Sequence, residues 1–194
     1  MRRLPSWLGG ATLAPDQFQF INSILVLILA PLSATLWLRV DPSGRKFPAT
    51  SKIFIGFLFT AAAPASMAIA ALQAEGGAKV SPLWIVLAYV LLTAGEVLVY
   101  GTGLDFSYSQ APKDMKSTIT AVFLVTNALG NFVNILYAPM YERKDGKGIS
   151  LTAVEFFACD TAIVLIAAVV FYFVGRKFNR TKVQGSPEVE IEKP

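Results

Sequence analysis

The sequence contains no histidine, a single cysteine and few charged residues, and each shortage excludes a class of protein or site. Without histidine, the chain cannot build a Ser-His-Asp triad, a histidine proton relay or a histidine-ligated metal site. Cys159 has no second cysteine with which to form a disulfide inside the chain. Charged residues make up 15% of the 194, whereas a soluble domain has about 25%. With 54% hydrophobic residues, the composition favours a protein of the lipid bilayer.

The hydrophobic residues form five runs, each long enough to cross ~30 Å of hydrocarbon at ~1.5 Å per helical residue. Polar breakers such as Asp41–Gly44 and Lys144–Gly148 separate the runs. Pro31 and Pro64 fall inside runs, where we expect a kink or local unwinding. The sequence therefore predicts an all-α integral membrane protein of about five transmembrane helices. The predicted ranges are an extracellular segment 1–17, helices 18–38, 53–72, 82–104, 115–141 and 151–174, and a cytoplasmic tail 175–194.

The basic residues are divided unequally between the two sides of the membrane. Of the 17 Lys and Arg residues, eleven fall in the first-to-second loop, the third-to-fourth loop and the C-terminal tail, and six fall on the other side. The positive-inside rule then predicts a multi-pass protein with a cytoplasmic C-terminus, and we expect it in the plasma membrane. An outside start without a cleavable signal is natural if further helices precede Met1. Because the charges are spread over loops, we expect no nucleic-acid partner.

Glu96 is a carboxylate inside the third apolar run, about 21 Å along an ideal helix from its start. Its insertion costs ~2.5–3.5 kcal/mol, so such a group faces a cavity or a cationic partner by default. Helical spacing places Tyr89, Thr93, Tyr100 and Gly103 on the same stripe. This pattern indicates a hydrated pocket for an ammonium group or a proton. The alternative is a structural ion pair, or a protonated acid buried between helices.

A second polar stripe follows the fourth run. It consists of Phe123, Asn127, Gly130, Asn134 and Tyr137, with Thr126 and Asn131 alongside. Asparagine and glycine at this spacing serve interhelical packing at least as often as they line a cavity. Asn22 lies early in the first run, near a membrane face, so an interfacial polar group is the alternative to a pocket residue.

One stretch of the chain resembles a known family. Gly95–Leu98, reading G-E-V-L, and Thr102–Ser117, reading T-G-L-D-F-S-Y-S-Q-A-P-K-D-M-K-S, resemble the proton-dependent oligopeptide transporter family of the major facilitator superfamily. There, a helix 10 glutamate precedes a similar loop and a Met-Lys-Ser start to helix 11. Ala128–Asn131 is similar to the end of that helix, and Asp16–Asn22 to the entrance of helix 8. The resemblance covers nearly the whole chain, as helices 8 to 12 of a twelve-helix transporter.

The resemblance also implies roles for individual residues. Glu96 would receive the amino terminus of a peptide and exchange ion pairs with a lysine on helix 4. Asn22 on helix 8 and Phe123 and Thr126 on helix 11 would line the substrate pocket, and we add Asn127, the next residue of the stripe, to this substrate-binding set. The coupling ion would be the proton, with no other cofactor and no metal.

The sequence departs from the family pattern at several positions. Ser23 stands where proline is usual, Phe123 where many members have tryptophan, and Asp105 where glutamate is common. Helices 1 to 7, with a Glu-x-x-Glu-Arg motif and the helix 4 lysine, have no counterpart in this sequence. By resemblance, those helices carry much of the proton coupling and bind the peptide carboxylate.

The function expected from the sequence is the C-terminal part of a proton-coupled di/tripeptide symporter. We expect a fragment that does not transport alone, and that needs the missing N-terminal helices in cis or a partner half in trans. The alternatives are a small membrane scaffold or assembly partner derived from such a transporter, and a relative that carries a non-peptide solute. An enzyme is not expected, because the sequence has neither a Gly-x-Ser-x-Gly elbow nor paired membrane aspartates.

Overall fold

The computed structural model describes residues 15–41, 47–78, 80–141 and 150–184, with side chains between Asn22 and Asn179. Most of the predicted segment 1–17, half of the segment 175–194, the side chains of 16–21 and the breaker residues 42–44 and 144–148 lie outside this description. The helices are α1 (Pro15–Val40), α2 (Ala49–Glu75), α3 (Leu83–Glu96), α4 (Thr102–Gln110), α5 (Lys116–Tyr137) and α6 (Ala153–Gln184). A π-helical segment, Val97–Gly101, joins α3 to α4, and the 3₁₀ turns Lys113–Met115 and Ala138–Met140 flank α5.

Five helical spans of the described residues are long and apolar enough to cross a membrane. They are α1, α2, the continuous span from α3 through α4, α5 with its flanking turns, and α6. The predicted fold class, an all-α membrane bundle of five helices, is confirmed. Neither Pro31 nor Pro64 interrupts its helix, so the expected local unwinding does not occur.

The third span is longer than the predicted range 82–104, because it continues through the π-helical segment to Gln110. It ends there because Ala111 precedes Pro112, and the residue before a proline is disfavoured in the α conformation. Ala111 is accordingly extended, with φ −74° and ψ 139°.

Helix α2 is the centre of the bundle and packs against α3 on one side and α6 on the other. Its buried positions are mostly small residues, namely Thr50, Ile53, Gly56, Ala61, Ala63, Pro64, Ser66 and Ala70. Apolar area drives little association between helices in lipid, so small residues that permit close approach supply the packing. The interior is therefore built from close backbone contact, and α1 and α5 lie at its outside.

The closest approach of α2 and α3 depends on two glycines. A Cβ at Gly95 would overlap Thr60 Oγ1 and lie 2.8 Å from the Thr60 nitrogen and 2.9 Å from the Gly56 oxygen. A Cβ at Gly56 would lie 2.8 Å from Val99 Cγ2 and 2.9 Å from Leu98 Cβ. Only glycine fits at either position. This close contact therefore fixes the position of the next residue, Glu96, relative to α2.

Two contacts show which helix ends lie together. Asn179 Nδ2 donates to Thr50 Oγ1 at 2.8 Å, which joins the end of α6 to the start of α2. The rings of Phe106 and Phe178 pack edge to face, with centroids 5.6 Å apart, which brings the end of α4 to the same place. The described helix ends that adjoin the three segments counted as one side of the membrane therefore lie at one end of the bundle. The assignment of that end to the cytoplasm stays a prediction.

Candidate functional site

Glu96 lies at the middle of its membrane span, 13 residues after Leu83 and 14 before Gln110. At ~1.5 Å per residue, its backbone is about 20 Å from either end. The neighbouring Gly95 is buried against α2, whereas the Glu96 side chain is exposed. The carboxylate is thus held at mid-depth on an open face of the bundle.

The partner of Glu96 comes from α1. Asn22 Nδ2 donates to Glu96 Oε2 at 3.5 Å, the outer limit of a hydrogen bond. The oxygen of the same carboxamide, Oδ1, lies 2.5 Å from Thr93 Oγ1, and that hydroxyl is also 2.7 Å from the Tyr89 carbonyl oxygen. Thr93 is 0% exposed. A polar chain therefore runs from a buried hydroxyl through a carboxamide to the exposed carboxylate.

Asn22 is the only hydrogen-bond partner of Glu96 among the side chains that the structure describes, and none of their Lys or Arg residues forms an ion pair with it. The alternative of a structural ion pair has no candidate cation in this part of the chain. The neutral amide donates a hydrogen bond to the carboxylate but leaves its charge uncompensated. The site can accept a cation or a proton.

The π-helical segment begins directly after Glu96 and brings an aromatic pair beside the site. π-Helical turns insert an extra residue into a helix and occur frequently at functional sites. Tyr100, in this segment, packs edge to face with Phe123 of α5, with ring centroids 5.1 Å apart. Gly103 lies beside the same ring, since a Cβ there would be 3.5 Å from Phe123, in ordinary van der Waals contact. Phe123 is thereby linked to the span that carries Glu96.

The structure does not bring Thr126 and Asn127 into contact with Glu96. Thr126 Oγ1 donates to the Phe123 carbonyl oxygen of its own helix at 2.7 Å. The Asn127 side chain makes no hydrogen bond to a described residue. Both side chains are exposed, as α5 has no buried position. Within the described residues, hydrogen bonds join Asn22, Thr93 and Glu96, with Tyr100 and Phe123 beside them, and the assignment of Thr126 and Asn127 to the substrate-binding set stays a prediction.

Thr93 is the residue whose role the sequence did not indicate. It lies on the predicted stripe with Glu96, three residues earlier, but its hydroxyl is buried between α3 and α1 instead of lining an open pocket. The described residues contain no group of three or more Cys, Asp or Glu side chains that could hold a metal ion.

Comparison with known proteins identifies the family. The sequence model of the POT family, the proton-dependent oligopeptide transporters, matches residues 2–154 of the 194. The chain belongs to the POT family. The resemblance drawn from the residues around Glu96 is thereby confirmed, and this POT chain is a multi-pass membrane protein of a transporter family.

Individual relatives agree with this assignment. The chain is 30% identical over 172 residues to the peptide transporter YePEPT of Yersinia enterocolitica, covering 86% of the chain and 33% of that protein. It is 26% identical to a di-/tripeptide transporter of Lactococcus lactis, with 88% and 33% covered. Its structure is similar to that of the POT family transporter PepTSo, with a TM-score of 0.73, 32% identity, and 92% of the chain and 35% of that protein covered. The chain spans about a third of the length of these proteins.

Proposed function

We propose that this chain forms the C-terminal part of a proton-coupled di/tripeptide symporter and supplies the side of the substrate site that binds the peptide ammonium group. The observation that carries the proposal is Glu96, an exposed mid-span carboxylate whose described partner is a neutral amide. The peptide transporters among its relatives support the substrate class.

The chemistry of the site favours a protonated amine over an anion. A hydrogen bond between an ammonium group and a carboxylate contributes about 1.5–3 kcal/mol. Nitrate or another anion would meet an uncompensated negative charge at Glu96, so such a solute is disfavoured at this position. The Asn22 carboxamide offers a neutral polar contact beside the carboxylate, and accepts or donates as the ligand requires.

Protonation of the same carboxylate would oppose peptide binding, so the proton that drives symport is held by another group, which by resemblance belongs to the helices that carry the Glu-x-x-Glu-Arg motif. Glu96 cannot hold a proton and an ammonium group at full strength together, because a neutral acid loses the charge that attracts the ammonium. Binding of the peptide and protonation of Glu96 therefore compete, and each shifts the equilibrium of the other by the same factor.

The aromatic pair supplies an apolar surface next to the carboxylate. The rings of Tyr100 and Phe123 are in edge-to-face contact, and Phe123 belongs to a different helix from Glu96. A peptide held at its ammonium group by Glu96 would place its first side chain against these rings. This arrangement tolerates many side chains, because stacking and edge contacts do not depend on a specific polar group.

Transport needs helices in addition to these five. Alternating access moves two helical bundles against each other around a central site. The relatives are about three times as long as the matched region. We propose that the second bundle, in cis or as a partner half in trans, binds the peptide carboxylate, and that the complete transporter lies in the plasma membrane with the C-terminus of this chain in the cytoplasm.

The test is proton-driven uptake by a chimera in which this chain replaces the matching third of the Yersinia enterocolitica transporter. In proteoliposomes with an inward proton gradient, the chimera should accumulate a labelled dipeptide. Glu96→Gln should abolish accumulation or raise the half-saturating concentration about 10- to 100-fold, the equivalent of a lost charge-assisted hydrogen bond.

Glu75→Gln is the matched control, because Glu75 is an exposed carboxylate at the last residue of α2, far from the site. It should leave uptake unchanged. Equal uptake in the two variants would contradict the role of Glu96, and a chimera that inserts and folds but accumulates no dipeptide would contradict the function.

A further inference from the structure

The buried hydroxyl of Thr93 lies within hydrogen-bond distance of two acceptors. Its Oγ1 is 2.5 Å from Asn22 Oδ1 and 2.7 Å from the Tyr89 carbonyl oxygen. A hydroxyl has one proton and donates one hydrogen bond at a time. Thr93 therefore donates to only one of the two acceptors at a time. Each of the two hydrogen bonds requires a different orientation of the Asn22 carboxamide.

In the first arrangement Thr93 donates to Asn22. The carboxamide oxygen then faces Thr93, and the amide NH₂ faces Glu96 Oε2 at 3.5 Å. A carboxylate is an acceptor only, so this arrangement satisfies Glu96 when it is ionised.

In the second arrangement Thr93 donates to the Tyr89 carbonyl, and its lone pairs face Asn22. Two oxygens at this distance without a proton between them repel, so the carboxamide turns over and its NH₂ donates to Thr93. The carboxamide oxygen then faces Glu96, and only a protonated Glu96 can donate to it. The turn needs rotation about the terminal torsion of Asn22 alone, and every hydrogen except the one gained by Glu96 stays on its own atom.

We propose that Thr93 is a positioning residue that sets the orientation of the Asn22 carboxamide, and that the carboxamide turns over when Glu96 takes up a proton. Both arrangements satisfy all three side chains, so Asn22 has a hydrogen bond to offer to the ionised and to the protonated carboxyl. The functional meaning rests on the proposed role of Glu96 in binding the peptide ammonium group. In the ionised state the carboxamide donates to a carboxylate that is ready for the amine. In the protonated state it accepts from the acid, and so stabilises the form that does not bind the amine.

No other charged side chain among the described residues lies close enough to Glu96 to set the orientation of the Asn22 carboxamide. The ionisable side chains of α3 and of the elements packed around it are Tyr89, Tyr100, Arg39 on α1, Lys52 and Glu75 on α2, Asp105 and Tyr108 on α4, and Lys116 and Tyr137 on α5. Each charged side chain lies roughly 10 Å or more along its helix from the residue of that helix nearest Glu96, at ~1.5 Å per residue. That reference residue is Asn22 on α1, Thr60 on α2 and Phe123 on α5, and the distance on α4 is counted from Glu96 itself. Among the described side chains, Asn22 is thus the one that can report the protonation of Glu96 directly.

The test is an NMR titration of the 194-residue chain in lipid nanodiscs, with labelled asparagine and glutamate. The Asn22 and Glu96 side-chain signals are assigned by their loss in Asn22→Ser and Glu96→Gln. We expect the Asn22 amide signal to move with pH at the same midpoint as the Glu96 carboxyl signal. Thr93→Ser retains the hydroxyl and should preserve this coupled movement. Thr93→Val retains the shape without the hydroxyl and should reduce the Asn22 movement to less than half, while Glu96 still titrates.

Results of two kinds, for the wild-type chain and for the Thr93→Val variant, would overturn the inference. One is an Asn22 signal that stays fixed while Glu96 titrates, or a Glu96 that does not titrate at all. The other is a Thr93→Val variant with the full Asn22 movement at a wild-type helix content. The titration requires no transport, so a chain that passes it while the chimera binds no dipeptide would contradict the proposed function alone, and the reverse result would contradict this inference alone.

Discussion

Replacing Gly95 with alanine forces α3 away from α2 at the residue that precedes Glu96. The new methyl group would overlap Thr60 Oγ1 and lie 2.8 Å from the Thr60 nitrogen and 2.9 Å from the Gly56 oxygen. The last two atoms are backbone, so rotation of a side chain cannot relieve the overlap. The helices must separate by several tenths of an ångström to restore ordinary contact.

The expected loss of stability follows from two opposing terms. Overpacking a tight interior position costs about 1–3 kcal/mol. Replacing glycine by alanine inside a helix recovers about 1 kcal/mol. Because backbone atoms form part of the obstacle, the upper part of the first range applies, and the net loss is about 1–2 kcal/mol. In a chain of this length, that corresponds to a fall in Tm of about 2–8 °C.

The assay is thermal unfolding of the chain in nanodiscs, followed by circular dichroism. Gly130→Ala is the matched control, because a Cβ at this α5 glycine has no neighbour within 4 Å. It should keep or slightly raise the Tm. Thr60→Ala combined with Gly95→Ala removes only the side-chain overlap, so it should restore part of the lost stability. A Gly95→Ala chain as stable as Gly130→Ala would refute the reasoning that this close contact limits the packing of α2 and α3.

Two further variants test other contacts of the fold. Thr50→Val keeps the shape of the residue but removes the acceptor of the 2.8 Å hydrogen bond from Asn179, so thermal unfolding should show a loss of about 0.5–1.5 kcal/mol; an unchanged Tm would show that this bond does not hold α6 to α2. Tyr137→Phe removes the 2.9 Å hydrogen bond to the Phe156 carbonyl but keeps the stacked rings, whose centroids are 4.6 Å apart. It should cost about 0.5–1.5 kcal/mol, and a loss above this range would mean that the hydroxyl does more than bridge α5 and α6.

The five helices were predictable because lipid imposes a minimum length and composition on each span. The end of the third span was placed too early, at 104, because hydropathy falls at Asp105 while the helix continues to Gln110. Pro112 carried the missing signal, since a helix commonly ends before a proline. The π-helical segment had no such signal; its residues Leu98 and Val99 pack closely against Gly56 of α2, a contact between helices that one sequence does not give.

The candidate site was only partly readable from the sequence. Glu96 stood out as a charge inside an apolar run, and the structure places it at mid-span. Asn22 was chosen by resemblance to the family, since its position in the first run gave no indication that α1 meets α3 at that level. The burial of Thr93 depends on which helix covers that stripe, and one sequence does not give helix neighbours. Thr126 and Asn127 share the spacing of Phe123, but of these three side chains Phe123 is the one with a ring contact to the third span among the described residues.

The central claim is that Glu96 binds the ammonium group of a peptide, and a binding cycle tests it most directly. The dissociation constants of a dipeptide and of its N-acetylated form would be measured for the chimera, with and without Glu96→Gln. The account predicts that the chimera with Glu96 binds the free amine about 10- to 100-fold more tightly than the acetylated form, and that Glu96→Gln removes this preference. A preference for the free amine that survives Glu96→Gln would contradict it.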